Sequence, residues 1–155
     1  MAKHWIVVGT AENFRIARGR HFDMFGFKST RRREAGEMEP GDKLVFYLVG
    51  VMKMAGTAEV TSDSFEDHTP VFKSEKKPGE DYPWRVHTKP LLVLDEEDWL
   101  DAREIGPRLR YTQKWIGGGN LKNLGLAFQG NLHLIPQEDF ELIEREMKAA
   151  AGVKA

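Results

Sequence analysis

Residues 40–49 read PGDKLVFYLV, and this stretch decides the fold. Pro40 and Gly41 predict a turn. Residues 43–49 are apolar after Lys43 and rich in aromatic and β-branched side chains, which predicts a strand buried on both faces. After a turn at residues 50–54, residues 55–61 (AGTAEVT) alternate small and branched side chains. The pattern predicts an antiparallel hairpin, in which Gly56 marks a bulge or a close approach.

Further strands are predicted on both sides of this hairpin. Residues 4–10 (HWIVVGT) are short and β-rich, and residues 84–94 (WRVHTKPLLVL) alternate before becoming apolar. Pro90 restricts the second of these strands to an edge or a bulge. Residues 127–135 (AFQGNLHLI) predict a final strand or hairpin, whereas residues 22–27 (FDMFGF) are aromatic-rich and indicate irregular structure.

The helical pattern is short everywhere except at the C-terminal end. Helices are predicted at about residues 12–21, 29–37, 96–102 and 136–150. In the last of them Phe140, Ile143 and Met147 share one face. Residues 62–82 are polar and predict a long connection, which the apolar side chains of Val71 and Phe72 anchor to the protein. Residues 105–126 give no secure assignment.

These elements together predict an α+β protein. Its core is a β-barrel of about five to six mainly antiparallel strands with short flanking helices. The chain has 155 residues, which predicts one domain over residues 1–155 with a core from about residue 4 to residue 147.

The composition excludes several classes of protein. The chain carries 23 Lys and Arg against 24 Asp and Glu, a net charge of −1, and no cysteine. Disulfides, thiol nucleophiles and cysteine-ligated metal centres are therefore excluded, which is compatible with a reducing cytosol. The apolar segment near the N-terminus is too short for a signal peptide, and no window approaches the roughly 20 apolar residues of a membrane span. We expect a cytoplasmic protein.

The sequence offers no recognisable catalytic motif. The five histidines are dispersed without metal-binding spacing, and they are His4, His21, His68, His87 and His133. No GxSxG motif occurs. The glycines at 117–119 lack the Lys-Ser or Lys-Thr of a phosphate loop, and the acids at 95–98 lack the alternation of a calcium loop. The prediction is a non-catalytic protein with no metal and no cofactor.

The charges are segregated along the chain even though their sum is near zero. Residues 14–33 carry seven basic side chains against Asp23, and residues 95–104 carry six acids against Arg103. A basic cluster raises the local concentration of anions and can contact phosphates. Such a run is also the usual composition of a solvated face, so it does not by itself indicate a binding site.

Four aromatic side chains lie on or beside four predicted strands. They are Trp5, Tyr47, Trp84 and Phe128. If the strands converge at one barrel mouth, these rings form a cage for a flat ligand, and Thr10, Asn13 and Gln129 supply hydrogen bonds to the edge of a base. The alternative is that each ring is an ordinary core residue.

Six segments, in this order, resemble the EVE domain family. They are HWIVVGT with Glu12-Asn13-Phe14, FGFK at 25–28 followed by Arg31–Arg33, PGDKLVFY at 40–47, AGTAEV at 55–60, YPWRV at 82–86 and DFELI at 139–143. The resemblance covers nearly the whole chain, from Trp5 to about Ile143. It implies a PUA-like fold related to the YTH and ASCH domains, in which a bent β-barrel carries helices around a central pocket.

The resemblance also implies a function and a set of site residues. EVE domains are linked to nucleic-acid binding and to the recognition of modified bases, especially modified cytosine in DNA, and they are not known for catalysis. The candidate base pocket comprises Thr10, Asn13, Phe14, Lys28, Ser29, Tyr47, Trp84, Arg85 and Gln129. The candidate phosphate contacts are Arg18, Arg20, Arg31, Arg32 and Arg33. The alternative is a small-molecule or protein-interaction module, which the near-neutral net charge favours.

Overall fold

A curled sheet forms the centre of the molecule. The computed structural model describes residues 2–74, 77–129 and 132–152. Its strands are β1 (His4–Gly9), β2 (Met24–Phe27), β3 (Lys43–Leu48), β4 (Lys53–Val60), β5 (Phe65–Glu66), β6 (Trp84–Val93), β7 (Leu100–Asp101) and β8 (Leu132–Ile135). The main path through the sheet is β2-β6-β4-β3-β1-β8, with β5 paired to β6 and β7 paired to β4.

Helices cover the sheet and fill its ends. They are α1 (Ala11–Gly19), α2 (Arg32–Gly36), α3 (Ala102–Ile105), α4 (Gln113–Ile116) and α5 (Gln137–Ala150). Shorter 3-10 segments lie at Ser29–Arg31, Glu96–Asp98, Gly106–Arg108, Gly117–Gly119 and Leu121–Phe128. No helix in the described ranges is both long and apolar enough to cross a bilayer.

The hairpin predicted from residues 40–61 is confirmed. β3 and β4 pair antiparallel, and their register shifts where Phe46 faces Gly56 and Tyr47 faces Met54. A Cβ at Gly56 would lie 2.8 Å from the carbonyl oxygen of Leu92, so only glycine fits this close approach without a shift of the backbone. The bulge and the close approach predicted for Gly56 therefore both occur.

Strand β3 is buried on both faces because the sheet separates two hydrophobic cores. Leu44, Phe46 and Leu48 belong to the first core, together with side chains of α1 and β2. Val45 and Tyr47 belong to the second core, which also takes in the apolar face of α5. This alternation follows from the two-residue period of a strand.

The predicted fold class is confirmed, and β2 closes one side of the barrel. Among the strand pairs in the described residues, β1 with β3 is parallel and the other six are antiparallel. Strand β2 pairs with β6, yet the ring of Phe25 lies 4.9 Å from the ring of Phe46 on β3. The sheet therefore bends until β2 covers the face of its central strand.

Three predicted elements need correction. Residues 22–27 are not irregular: β2 is completely buried, since it packs its aromatic rings into the first core while pairing with β6. Ala127 and Phe128 end a 3-10 segment rather than begin a strand, because their side chains are buried against α4 and α5 in the second core. The acidic helix predicted at residues 96–102 is limited to Glu96–Asp98, and Leu100 then pairs with Met54.

A pair of pH-dependent hydrogen bonds from His68 stabilises the connection between β5 and β6. The ring of His68 lies 2.6 Å from Asp81 Oδ2 and 2.7 Å from Glu66 Oε2. Hydrogen bonds to these two carboxylates, Glu66 first, raise the pKa of His68 above its ordinary 6.5. The stabilisation from these hydrogen bonds is therefore fully present below the pKa that His68 has in the unfolded chain. It is lost as the pH rises through the higher pKa that His68 has in the folded protein.

We expect His68→Ala to lower the melting temperature more at acidic than at alkaline pH. Thermal unfolding of wild type and variant between about pH 5 and pH 8 measures this difference. The wild-type advantage should shrink as the pH rises, and a constant advantage over the whole interval would contradict the link. NMR titration of the His68 ring should give a midpoint above 6.5.

Candidate functional site

The predicted edge-reading residues Thr10 and Asn13 bond within the protein. Thr10 caps α1, since its Oγ1 accepts the backbone N–H of Asn13 at 3.1 Å. The Asn13 amide binds the connection: its Nδ2 donates to the carbonyl of Lys73 at 2.8 Å, and its Oδ1 accepts the Lys73 N–H at 2.9 Å. Both side chains therefore fix the start of α1 against the β5–β6 connection.

The four candidate cage aromatics do not meet at one mouth. Trp5 lies in the first core, whereas Tyr47 and Phe128 stack on each other in the second at a centroid distance of 4.4 Å. Trp84 packs, half-buried, at the edge of the first core. The prediction of a single aromatic cage is wrong, because the sheet separates Tyr47 and Phe128 from Trp5 and Trp84. Phe14 is also a core residue, in contact with Phe22, Phe46 and Trp99.

Arg85 is a buried clamp. Its side chain is 1% exposed, its Nε donates to the Tyr82 carbonyl at 3.1 Å, and one terminal nitrogen donates to the carbonyls of Thr69 and Asp81 at 2.5 and 3.1 Å. The other terminal nitrogen lies 3.5 Å from Asp67 Oδ2. A guanidinium can bond several carbonyls at once, and here it fastens the connection to β6.

Trp84, Ser29 and Arg32 are brought together. The indole N–H of Trp84 donates to the Ser29 carbonyl at 2.9 Å, and the Arg32 guanidinium carbon lies 5.3 Å from the centroid of the Trp84 ring. Ser29 is held in turn by Glu80, which accepts both its backbone N–H and its hydroxyl. Lys28 immediately precedes Ser29 and follows Phe27, the last residue of β2.

Most of the predicted phosphate contacts already have an acidic partner. The pairs are Arg18 with Asp95 at 2.8 Å, Arg20 with Asp23 at 3.3 Å, Arg31 with Glu34 at 2.9 Å and Arg33 with Glu37 at 3.8 Å. Arg15 pairs with Glu96 in the same way, so the acidic stretch faces α1 and neutralises it. Within the described ranges no carboxylate lies within 4 Å of the Arg32 guanidinium nitrogens, whose contact is the Trp84 ring.

Two buried nitrogen atoms lack a hydrogen-bond partner within the described ranges. They are Nε of Arg31 and Nε2 of His133. The pKa of His133 is lowered, first by burial and then by the positive charges of Arg31 and Lys114, while a hydrogen bond to the Gln129 backbone opposes the shift. The lowered pKa favours the neutral imidazole, and the tautomer decides whether Nε2 donates or accepts a hydrogen bond.

His133 carries an unpaired ring nitrogen that the sequence did not indicate, since it is a single histidine on a short strand. We call the surface formed by Ser29, Arg31, Arg32 and Trp84 the Trp84 corner. Gln129 is exposed and lies just before β8.

A pair of aromatic rings lies beside His133. The rings of Tyr111 and Trp115 have centroids 5.0 Å apart, and the ring of His133 lies 5.7 Å from that of Tyr111. The Tyr111 hydroxyl donates to the Ala127 carbonyl at 3.1 Å, and burial raises its pKa to about 12. The Lys114 ammonium lies 4.3 Å from the Trp115 centroid.

A separate cavity of about 340 Å³ lies beside the β3–β4 turn. Its lining residues are Met52, Arg103, Leu121, Lys122, Leu124 and Gly125. None of these residues belongs to the Trp84 corner. The molecule therefore offers two surfaces of different chemistry, one mainly apolar and one aromatic and basic.

Known proteins are similar to this chain in sequence and in fold. The model of the EVE domain family matches residues 3–146. A UPF0310 protein of Pyrococcus abyssi is 28% identical over 152 residues, covering 91% of this chain and 96% of its own. Human THYN1, solved in complex with DNA containing 5-methylcytosine, superposes with a TM-score of 0.59 at 16% identity, over 95% of this chain and 98% of that one.

A YTH domain has the same architecture. The domain of the Zygosaccharomyces rouxii MRB1 protein, solved in complex with N6-methyladenosine RNA, gives a TM-score of 0.60 at 13% identity, over 95% of this chain and 87% of that one. These likenesses agree with the bent barrel described above. Since the family model covers almost all of the sheet and its helices, the chain belongs to the EVE domain family.

Proposed function

We propose that this protein binds nucleic acid that carries a modified base, with the base held at the Trp84 corner, and that it acts without catalysis. The ligand that we favour is DNA with a modified cytosine. The observation that carries the proposal is the meeting of an accessible indole and an arginine stacked on it. THYN1 and the YTH domain, which were solved with methylated DNA and methylated RNA, support it.

The side chains of the Trp84 corner suit a base that is flipped out of its stack in the nucleic acid. Stacking of a base on Trp84 contributes about 1–3 kcal/mol to binding. To stack there, the base displaces the Arg32 guanidinium from the ring. The guanidinium then pairs with a phosphate, as arginine does well.

The proposal divides the predicted pocket residues into two roles. Lys28, Ser29, Trp84 and Gln129 contact the ligand directly. Thr10, Asn13, Phe14 and Arg85 hold the first core and the β5–β6 connection behind them through the contacts described above. Tyr47 stacks on Phe128 in the second core, on the other side of the sheet. Among the arginines, Arg32 and Arg33 contact phosphates most readily, because weak exposed pairs such as Arg33 with Glu37 exchange easily for a phosphate.

The second candidate function is the binding of a small apolar molecule, which the cavity at Met52 and Leu124 favours. The dependence of the binding constant on salt concentration distinguishes the two functions. Phosphate contacts give a slope of log K against log salt of about −0.7 for each phosphate on a single strand, whereas an apolar ligand gives almost none. The two functions are also separated by mutation, since they use different residues.

A binding panel tests the proposed function. Fluorescent single strands and duplexes carrying cytosine, 5-methylcytosine, 5-hydroxymethylcytosine or N6-methyladenine are titrated with the purified protein at about 50 and 200 mM salt. We expect preferential binding of one modified cytosine that weakens as salt is added. Binding of none of the strands would refute the proposal, and preference for N6-methyladenine would refute its cytosine assignment.

A further inference from the structure

We propose that Glu80 is a positioning residue of the Trp84 corner, and that it holds the Trp84 indole in its binding orientation before nucleic acid arrives. This inference rests on the proposed function and adds a residue to the site that holds the base. Glu80 is half-buried and lies in the β5–β6 connection, four residues before Trp84. The sequence analysis did not single it out.

A tight turn brings Glu80 to the site. The backbone N–H of Glu80 donates to the Lys77 carbonyl at 3.0 Å, and Gly79 has a φ of 91°. Proline at the second position and a glycine with positive φ at the third are typical of a type II turn, and Pro78 and Gly79 occupy these positions. The local sequence therefore determines where the Glu80 side chain begins.

The Glu80 carboxylate joins two segments that flank Trp84. Its Oε1 accepts the Ser29 hydroxyl at 2.8 Å, and its Oε2 accepts the backbone N–H groups of Ser29 and Tyr82, each at 3.0 Å. Ser29 begins the 3-10 segment that leads to Arg32, and Tyr82 lies two residues before Trp84. One carboxylate therefore fastens the segment after β2 to the start of β6.

The orientation of the indole depends on this connection. The Trp84 N–H donates to the Ser29 carbonyl at 2.9 Å, so the residue that Glu80 holds is also the residue that orients the ring. Because this bond occupies the indole N–H, the ring offers the ligand its face, over which Arg32 lies. A side chain that is already immobilised loses no further rotamer entropy when a ligand binds.

The backbone of Tyr82 is a second sign of positioning. Tyr82 has a φ of 51°, in the left-handed region that a residue other than glycine rarely adopts. Its N–H is bonded to Glu80 and its carbonyl to Arg85, which together hold this conformation. Strained residues of this kind cluster at binding sites and persist only where several contacts fix them. Since Pro83 and Trp84 follow directly, the conformation of Tyr82 sets the direction in which the chain enters β6.

Hydrogen exchange at the indole N–H groups tests the positioning role without any ligand. Trp84→Phe identifies the Trp84 signal in the NMR spectrum by its loss. In Glu80→Ala we expect the Trp84 N–H to exchange with solvent several-fold faster than in wild type. The N–H groups of Trp5 and Trp99 donate to Asp42 and to the Leu94 carbonyl, and their exchange should not change.

Glu80→Gln is the conservative variant. Its amide oxygen can accept the two backbone N–H groups, and its amide nitrogen can donate to the Ser29 hydroxyl. This variant should therefore retain most of the protection of the Trp84 N–H. Exchange as fast as in Glu80→Ala would show that these hydrogen bonds do not position the ring.

Strand binding measures what the positioning contributes. Ordering one side chain during binding lowers affinity by about twofold to tenfold. We expect Glu80→Ala to bind a fluorescent strand with 5-methylcytosine more weakly by this factor, and its preference over plain cytosine should fall accordingly. Glu146→Ala is the matched control and should change neither affinity, because Glu146 is also half-buried and bonded, to Arg108, but lies on α5 at the second core.

The outcomes distinguish the two proposals. Unchanged exchange at Trp84 in Glu80→Ala overturns the positioning role, and so does faster exchange at Trp5, Trp84 and Trp99 alike, which reports a loss of global stability. An unchanged preference for the modified strand also overturns it, even if the melting temperature falls. If wild type binds no strand, the proposed function has failed, while exchange at Trp84 still decides whether Glu80 orients the ring.

Discussion

Replacing Trp84 by alanine should abolish the preference for a modified base over the plain one. The indole supplies the stacking face, and its N–H orders the Ser29 carbonyl beside it. Loss of the ring removes about 1–3 kcal/mol of stacking, which is roughly a fivefold to hundredfold loss of affinity for the modified strand. Titration of matched strands with cytosine and 5-methylcytosine measures the ratio of the two affinities, which should fall to about one.

Arg32→Ala is the matched control for Trp84→Ala. Arg32 lies over the ring and is assigned to a phosphate, so its loss should weaken both strands by the same factor and reduce the salt slope by about one unit. Trp84→Phe should retain part of the preference because it keeps a ring. An unchanged ratio of affinities in Trp84→Ala would show that the modified base binds elsewhere.

Replacing Arg85 by alanine should destabilise the fold by about 3 kcal/mol, because the carbonyls of Thr69, Asp81 and Tyr82 lose their common donor. Urea unfolding followed by tryptophan fluorescence measures the free energy of unfolding. Limited proteolysis should then cut the connection between β5 and β6 faster than in wild type.

Arg85→Lys tests whether the fork of the guanidinium is needed. A single ammonium cannot reach all three carbonyls in the same geometry, so this variant should recover only part of the lost stability. Arg33→Ala serves as the surface control, since its side chain is 90% exposed and its pair with Glu37 is long. If Arg85→Ala unfolds at the same urea concentration as wild type, the hydrogen bonds of Arg85 contribute nothing to the stability of the fold.

The sheet could be predicted from the sequence because its signals are local. The run after Pro40 and the alternation around Gly56 each identify a strand without knowledge of the rest of the chain. Strand β2 escaped prediction because its stability comes from distant partners: Phe25 and Phe27 are buried by β3 and β6. Two aromatic residues with a glycine between them carry no periodicity that shows this.

The site was only partly predictable for a similar reason. Trp84 and Arg32 stood out by residue type, and the structure brings them together. Asn13 and Arg85 stood out equally, yet backbone groups of the β5–β6 connection occupy their side chains. Residue type indicates which groups can bind a ligand, but only the folded chain decides whether its own backbone binds them first. His133 shows the converse, since its unpaired nitrogen becomes visible only in three dimensions.

The pairing of α1 with the acidic stretch has a kinetic consequence. Arg15 and Arg18 are matched by Glu96 and Asp95, and the whole chain carries a net charge of −1. Such a molecule projects little attractive field into solution, so its encounter rate with a polyanion stays near the unsteered value of about 10⁵–10⁶ M⁻¹s⁻¹. Most collisions end without capture. Selectivity between modified and plain strands then resides in how long the complex lives, rather than in how quickly it forms.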